Sequence, residues 1–331
     1  MLCGEENGKK PEITITIPTY QRRKYLKTAI DSALNQVGYS KYYEVIVVDN
    51  EVAVNGEKTE TEQLMESYQD ERLFYYKNIC NVGMVGNWNQ CVALTKGKWV
   101  AMLHDDDCID SNYLERIDWY INKYPQGDCF IPNRKEIDGE GREITTGRWY
   151  KRNKSIFHRI EKQRVMKKRE MDDRMRGHNH YGPPSAGVIF KKECAEAING
   201  FDESVRVLAD WDFFVRFREK YTIYGLNEVL ASYRWAVNVG YWFRAKEPMA
   251  GIKDTLHCIL LTAKSISFKS EKKRNQWIDL HKSLIYIENK DCLNEGYKEL
   301  GIDKPNCVDY CRGYIFAIIR RMYIFLRIFY T

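Results

Sequence analysis

Three consecutive carboxylates, Asp105, Asp106 and Asp107, follow a short apolar run from Trp99 to Leu103. Such a run is typical of a strand buried on both faces of a parallel sheet, and these sheets bind ligands beyond the carboxyl ends of their strands. If the chain stays extended past the run, Asp105 and Asp107 project to the same side. Converging carboxylates repel each other unless a cation lies between them, and an oxygen-only site suits Mg²⁺ or Mn²⁺ shared with a substrate phosphate.

The same triplet is compatible with a solvated turn before a helix, since Asp110, Ser111 and Asn112 provide N-cap chemistry. Its position directly after a buried strand favours the ligand site. Short apolar runs alternate with helical spacing up to residue 124, which predicts an α/β fold with a right-handed, mostly parallel sheet and helices on both faces. The predicted strands are 12–17, closed by Pro18, then 44–48, 73–76 and 99–103, and the predicted helices are about 22–34, 60–68, 81–94 and 113–124.

The second half of the chain is less regular and contains a strongly basic stretch. From Arg148 to Arg176 there are twelve Lys or Arg residues against four Asp or Glu. This stretch suits a solvated helix face, or a surface near anionic phospholipid or a pyrophosphate-bearing acceptor. No nucleic-acid-binding module accompanies it, so nucleic acid is not the expected partner. The predicted elements are strands at 129–131, 186–190, 222–226 and 230–235, a helix that begins near residue 210, and amphipathic helices from 250 to 300.

The composition indicates a soluble globular protein, with 331 residues of which 44% are apolar and 30% are charged. Ten cysteines occur without a C-x-x-C pair, and a chain of this size needs no disulfide staples. We interpret them as reduced thiols of a cytosolic protein. The first ten residues are polar and lack the apolar core of a signal peptide, so export is not expected.

Seven short motifs occur in order between about residues 12 and 235, and together they resemble the family-2 glycosyltransferases. That family has the nucleotide-sugar-binding GT-A fold, a Rossmann-like, mostly parallel sheet flanked by helices. Each motif alone is weak, whereas their order and spacing make the resemblance specific. The motifs are Thr16-Ile-Pro-Thr-Tyr-Gln-Arg22, Ala29-Ile-Asp-Ser-Ala-Leu-Asn-Gln36, Val45-Ile-Val-Val-Asp49, Asn81-Val-Gly83, Gly97-Lys-Trp-Val-Ala-Met-Leu-His-Asp-Asp-Asp107, Gly200-Phe-Asp-Glu203 and Asp210-Trp-Asp212.

The resemblance implies a role for each strand end. Asp49 would accept a hydrogen bond from a pyrimidine ring, although its residue type also suits a helix N-cap. Asp105 and Asp107 would hold Mn²⁺ or Mg²⁺, and Asp210 would be the general base, with Asp212 as the fallback. The implied donor-binding residues are Pro18, Thr19, Tyr20, Arg22, Asp49, Asn81, Gly83, Asp105 and Asp106, and the acceptor-side candidates are His178, His180, Ser185, Trp211 and Asp212.

The sequence departs from the usual family pattern at several positions. Asn50-Glu51 stands where Asp-Gly-Ser is common, and Trp88 stands where an arginine is frequent. His104 occupies the usual first position of the acidic motif, which moves the metal role to the aspartates that follow. Ala209 replaces the first acid of a Glu-Asp pair, and Ala236 replaces a histidine, so a third protein ligand from that strand is not expected.

The pattern predicts three units along the chain. They are a catalytic domain at 10–240 with a basic acceptor-side region at 133–185, a helical appendage at 241–309, and an amphipathic helix at 310–331. Arg320 and Arg327 disfavour a membrane-spanning helix and suit one that lies in the interface of an anionic leaflet. An oligomer contact or packing on its own domain are the alternatives. We therefore expect a cytoplasmic protein attached peripherally to the inner face of the cell membrane.

The resulting prediction is an inverting, metal-assisted glycosyltransferase. Its donor would be a nucleoside-diphosphate sugar, with a UDP-sugar favoured, and its acceptor a hydroxyl of a glycan or a lipid-linked saccharide in bacterial surface-polysaccharide assembly. Two alternatives remain, a nucleotidyltransferase and an inactive glycosyltransferase-like scaffold at the membrane. The intact acidic triplet and Asp210 argue against an inactive protein.

Overall fold

The computed structural model describes residues 10–53, 57–144, 186–234, 248–293 and Ile302. Within these ranges strands and helices alternate as the hydrophobic pattern predicts. The strands are β1 (Ile13–Thr19), β2 (Tyr43–Asp49), β3 (Leu73–Lys77), β4 (Trp99–Met102), β5 (Cys108–Ile109), β6 (Cys129–Ile137), β7 (Val188–Lys191) and β8 (Ile223–Arg234). The helices are α1 (Arg23–Leu34), α2 (Glu60–Glu66), α3 (Gly83–Leu94), α4 (Tyr113–Lys123), α5 (Lys192–Glu196), α6 (Ala209–Lys220), α7 (Pro248–Ser265) and α8 (Glu271–Leu293).

The described strands form one mixed sheet in the order β3-β2-β1-β4-β7-β6-β8-β5. Its first half is parallel, since β1 pairs with β2 and β4, and β2 pairs with β3. β1 and β2 are buried along their whole length because helices cover both faces. One face packs against α1 and α4, and the other packs against α3 and α6. The predicted α/β architecture is confirmed.

β1 extends further than the sequence predicted. It includes Pro18 and ends at Thr19, whereas the pattern predicted a strand closed by the proline. The carbonyl of Thr16 faces β4, where it accepts from Leu103 N at 3.0 Å, and Pro18 faces the same side two residues later. The β4 ladder has already ended at Met102, so the missing N–H of Pro18 removes no ladder hydrogen bond.

β8 is one continuous strand where two had been predicted. The polar residues Asn227 and Glu228 lie between the two predicted strands, and the Glu228 carboxylate accepts hydrogen bonds from Arg116 and Tyr120 of α4. These hydrogen bonds satisfy the Glu228 carboxylate, so the residue can remain in the strand. β6 is correspondingly longer than predicted, and it pairs with β8 as far as Ile137 through an irregular register.

Two helices, α7 and α8, occupy the predicted helical appendage and pack against each other. α7 also packs against α6, where Trp211, Val215 and Cys258 form a small buried cluster. None of the helices in the described ranges is long and apolar enough to span a membrane. The predicted helix at 310–331 and most of the predicted acceptor-side region lie outside the described residues.

Candidate functional site

The acidic segment lies where β4 ends, beside the carboxyl end of β1. Asp105 is buried and accepts a hydrogen bond from Thr19 Oγ1 at 2.8 Å. Arg22 Nη1 lies 3.4 Å from Asp105 Oδ1 and 2.5 Å from Asp106 Oδ2. Four of the predicted donor-binding residues therefore contact one another, namely Thr19, Arg22, Asp105 and Asp106.

The chain does not stay extended through the acidic triplet, so the premise that extension aligns the first and third carboxylates was wrong. Asp107 N donates to His104 O at 3.1 Å and closes a turn through the two residues between them. The turn gives the two buried carboxylates different neighbours. Asp105 faces the end of β1, whereas Asp107 Oδ1 accepts from Arg234 N at 2.9 Å at the end of β8.

Asp107 has an unusual hydrogen-bonding state. The residue is only 1% exposed, and within the described residues its Oδ2 atom has no hydrogen-bond partner. Burial raises the pKa of Asp107 well above the usual range for an aspartate, and the charge of Asp106 adds to the effect. Burial, again with the charge of Asp106, raises the pKa of Asp105 to about 7. A cation beside these carboxylates would oppose both shifts.

These residues fit a divalent cation that a substrate helps to bind. No group of three His, Cys, Asp or Glu side chains in the described ranges is arranged to hold a metal by itself. Mg²⁺ and Mn²⁺ nevertheless often bind through one or two carboxylates together with phosphate oxygens. Asp107 offers a buried oxygen without a partner, while Asp105 is already engaged by Thr19 and Arg22. Asp107 is therefore the better ligand of the predicted pair.

Asp49 ends β2 and is fully buried. Its Oδ2 accepts from Tyr75 Oη at 2.7 Å and its Oδ1 accepts from Glu51 N at 2.9 Å. Burial raises the pKa of Asp49 above the usual range. A carboxylate oxygen can accept more than one hydrogen bond, so a contact with a base is still compatible with this geometry. The base-binding role stays a prediction.

Asn50, one of the departures from the family pattern, organises the loop before α3. Its Nδ2 donates to Asn81 Oδ1 at 2.8 Å and to Gly83 O at 3.2 Å. Its Oδ1 accepts from Asn78 Nδ2 at 3.0 Å and from Val82 N at 2.9 Å. The predicted residues Asn81 and Gly83 are thus held to the end of β2. These roles of Asn50 and Asn78 were not predicted from the sequence. The several asparagines close together in this part of the sequence were the signal that could have indicated them.

The turn after β1 exposes an aromatic ring at the same edge of the sheet. Pro18 is buried in the strand, whereas Tyr20 is 46% exposed. Gln21 then adopts a left-handed conformation with φ of 54°, and the chain returns to place Arg22 against the acidic segment. An exposed aromatic ring at the edge where the donor is predicted to bind is suited to stacking on a base.

Two other departures from the family pattern, Trp88 and His104, contact each other. Their ring centroids lie 5.3 Å apart in an edge-to-face arrangement, and Trp88 meets Phe201 in the same way at 5.3 Å. Phe201 stacks on Phe213 of α6 at 4.1 Å. Burial lowers the pKa of His104, which favours its neutral form in this aromatic setting. This row of rings connects the acidic segment to α6.

α6 presents Asp210 and Asp212 in its first turn, and the two aspartates have different surroundings. Asp210 is half-buried, and its Oδ1 accepts from Trp211 N at 2.8 Å. Asp212 is 1% exposed and is bound by Arg216 Nη2 at 2.6 Å and by His257 Nε2 at 2.9 Å. These contacts favour Asp210 over Asp212 as a group that reaches a substrate.

Trp211 is also directed into the protein, since its Nε1 donates to Thr262 Oγ1 of α7 at 3.0 Å. The remaining acceptor-side candidates, His178, His180 and Ser185, lie outside the described residues. The backbone contact of Arg234 with Asp107 was not foreseen. The contributions of α7 to the first turn of α6 were also missed, because no local sequence pattern connects the two helices.

Comparison with known proteins gives one family match. The family described as glycosyl transferase family 2 matches residues 14–197. An uncharacterized glycosyltransferase of Rickettsia typhi is 26% identical over 230 residues, which cover 70% of this chain and 66% of that protein. The matched part thus spans about two thirds of that relative.

Two solved structures have a similar fold. S. aureus TarS 1-349 in complex with UDP-GlcNAc superposes with a TM-score of 0.54 at 14% identity, covering 91% of this chain and 79% of that TarS fragment. The mannosyltransferase PcManGT from Pyrobaculum calidifontis, in complex with GDP-Man and Mn²⁺, gives a TM-score of 0.54 at 12% identity, with coverages of 96% and 86%. At these identities the likeness establishes the fold, and the predicted GT-A architecture is confirmed.

Proposed function

This chain belongs to glycosyl transferase family 2, and we propose that it moves a sugar from a UDP-sugar to a hydroxyl group of a glycan or lipid-linked acceptor. The observation that carries the proposal is the buried Oδ2 of Asp107, which has no partner in the described residues and lies at the carboxyl end of the parallel strands. A divalent cation bound together with the donor diphosphate would supply the positive charge that these buried carboxylates lack. UDP-GlcNAc bound to TarS, which has the same fold, supports a UDP-sugar donor.

The proposed reaction is a single displacement with inversion. Asp210 takes the proton of the acceptor hydroxyl while that oxygen attacks the anomeric carbon from the face opposite the diphosphate. The bond between the anomeric carbon and the diphosphate oxygen breaks, and its electron pair leaves with the UDP. Asp107, together with Asp105, would hold a Mn²⁺ or Mg²⁺ ion, which would supply positive charge beside the departing diphosphate. Arg22 adds a fixed positive charge beside the same acids.

A binding panel tests the class of donor. Thermal unfolding is measured with UDP, GDP, UDP-GlcNAc, GDP-mannose and UTP, each with and without Mn²⁺. We expect UDP and UDP-sugars to raise the melting temperature, and Mn²⁺ to increase that shift, because a ligand of the folded state stabilises it. Preferential stabilisation by UTP, followed by release of pyrophosphate, would instead identify a nucleotidyltransferase. No response to any nucleotide would support the inactive scaffold.

Replacement of Asp210 tests the general base. Asp210→Asn removes the proton acceptor without changing the size of the side chain, so turnover should fall roughly 10²- to 10⁴-fold while UDP binding is retained. UDP release from UDP-sugars measures turnover, and the thermal shift with UDP and Mn²⁺ measures binding. Wild-type turnover in this variant would remove Asp210 from the mechanism.

The proposals for the acceptor and for the cellular location are based on sequence that lies outside the described residues. The arginine-bearing aromatic segment at 310–331 supports peripheral attachment to the inner face of the membrane, where a lipid-linked acceptor would be available. Sedimentation with vesicles should increase with their content of anionic lipid and should be lost when 310–331 is deleted. Equal sedimentation of the truncated protein would contradict membrane attachment through this segment.

A further inference from the structure

The proposed base lies in the first turn of α6, a helix whose N-cap residue provides no side-chain cap. α6 begins at Ala209, and its N-cap residue Leu208 makes no capping hydrogen bond through its side chain. Helix starts expose backbone N–H groups and carry partial positive charge, so they usually need an acceptor. Here a carboxylate from another helix lies beside the start, since Asp254 of α7 accepts from Val207 N at 2.6 Å.

Three further side chains of α7 contact the same segment. His257 Nε2 lies 2.9 Å from Asp212 Oδ1, and Cys258 Sγ lies 3.7 Å from Leu208 O. Thr262 Oγ1 accepts from Trp211 Nε1 at 3.0 Å. With Asp254 these side chains recur at spacings of three and four residues, so they lie along one face of α7.

The four contacts lie on both sides of Asp210. Two fall on the residues just before it, Val207 and Leu208, and two fall on Trp211 and Asp212 just after it. α7 therefore restrains the backbone that carries Asp210. Asp254 is buried, so the loss of its carboxylate would leave the N–H of Val207, two residues before α6, without this acceptor.

We propose that Asp254 is a positioning residue, which fixes the start of α6 and thereby the direction of the Asp210 carboxylate toward the acceptor hydroxyl. This inference rests on the proposed function, in which Asp210 is the base. Misplacement of a general base by about 1 Å lowers the rate of the chemical step. Donor binding does not use Asp210 in the proposed reaction, so it should not change. Asp254 thus acts through Asp210 and contacts no substrate.

The first arm of the test needs no substrate. Hydrogen–deuterium exchange is measured in the full chain for peptides that cover residues 203–214. In Asp254→Ala we expect roughly tenfold faster exchange there and unchanged exchange in the peptides of β1, β2 and β4. Lys253→Gln, an exposed neighbour on α7, is the matched control and should leave exchange unchanged. Wild-type exchange in Asp254→Ala would overturn the inference.

The second arm separates positioning from a general loss of structure. UDP-GlcNAc and GDP-mannose are each supplied in a separate assay that contains Mn²⁺. The release of the nucleoside diphosphate by transfer of the sugar to water is measured. Asp254→Ala should lower kcat by about ten- to a hundredfold with an unchanged KM and an unchanged thermal shift with UDP. Asp254→Asn keeps an oxygen that can accept from Val207 N, so it should stay within about threefold of wild-type.

The outcomes distinguish this inference from the proposed function. If Asp210→Asn loses turnover while Asp254→Ala keeps it, the inference is wrong and the proposed base stands. If KM and the UDP shift worsen along with kcat in Asp254→Ala, the residue is structural and the inference is also wrong. If Asp210→Asn keeps full turnover, the proposed base fails and the inference fails with it.

Discussion

Two groups of buried aspartates in this protein differ in whether the chain supplies partners for their carboxylate oxygens. The strand-end group, Asp105 and Asp107, includes a buried oxygen without a partner in the described residues, and burial raises both pKa values. The helix-junction group, Asp212 and Asp254, lies between α6 and α7 and binds a guanidinium, a histidine and a backbone N–H. The difference indicates where a ligand is needed. Asp212 and Asp254 have their partners within the chain, whereas Asp107, which we propose to bind the donor through a cation, leaves one oxygen without a partner in the described residues.

Replacement of Asp107 should have the largest effect on turnover of all the changes considered for the two groups. Asp107→Asn removes the proposed cation ligand, so nucleoside diphosphate release should fall roughly a thousandfold. The asparagine Oδ1 can still accept from Arg234 N, and a buried charge disappears, so the free energy of unfolding in urea should be at least as large as in the wild type. A destabilised variant with normal turnover would reverse the roles assigned to the two groups.

Asp212 should show the opposite behaviour. Asp212→Asn leaves the Arg216 guanidinium without its buried carboxylate, so the free energy of unfolding should fall by about 3 kcal/mol. UDP binding by the folded fraction should be unchanged. Glu140→Gln, which removes an exposed pair with Lys24, is the control and should not change stability measurably.

The polar connections of Arg216 extend the helix-junction group to the loop before α6. Arg216 Nη2 donates to the carbonyl of Gly200 at 2.9 Å, and Gly200 has φ of +64°. A Cβ at Gly200 would lie 2.6 Å from Asn89 Oδ1, so Gly200→Ala should lower the free energy of unfolding by about 2 kcal/mol. Gly83→Ala is a matched control, because Gly83 also has a positive φ but has open space around it, and it should cost about 1 kcal/mol. Equal losses in urea unfolding would show that the contact with Asn89 is unimportant.

The smallest effect should come from the neighbour of Asp105. Thr19→Val removes the 2.8 Å hydrogen bond to the carboxylate, which should cost about 1 kcal/mol in stability and weaken UDP binding with Mn²⁺ a few-fold. Thr19→Ser keeps the hydroxyl and should behave like the wild type in both urea unfolding and UDP titration. If the valine and serine variants weaken UDP binding equally, the hydroxyl does not orient Asp105.

The strand-end group could be predicted from the sequence because its members follow recognisable apolar runs. The ends of β1 and β4 are marked by Pro18-Thr19 and by the aspartates after Leu103, and parallel strands bring such ends together. The turn within the triplet was not foreseen, because strand periodicity says nothing about where the extended chain stops.

The helix-junction group could not be predicted in the same way. Asp254 lies 47 residues from Val207 in sequence, and His257 lies 45 residues from Asp212. The partner of Asp107, Arg234, is 127 residues away. These contacts depend on how α6, α7 and β8 pack against their neighbours. The hydrophobic pattern within each element indicates only which of its faces is buried.

The most direct test of the central claim is a UDP titration followed by thermal unfolding, with and without Mn²⁺, for the wild type and for Asp107→Asn. Mn²⁺ should tighten UDP binding by about tenfold or more in the wild type and should have no effect on UDP binding in Asp107→Asn. If Mn²⁺ tightens UDP binding equally in both proteins, Asp107 is not the ligand that joins the cation to the donor diphosphate.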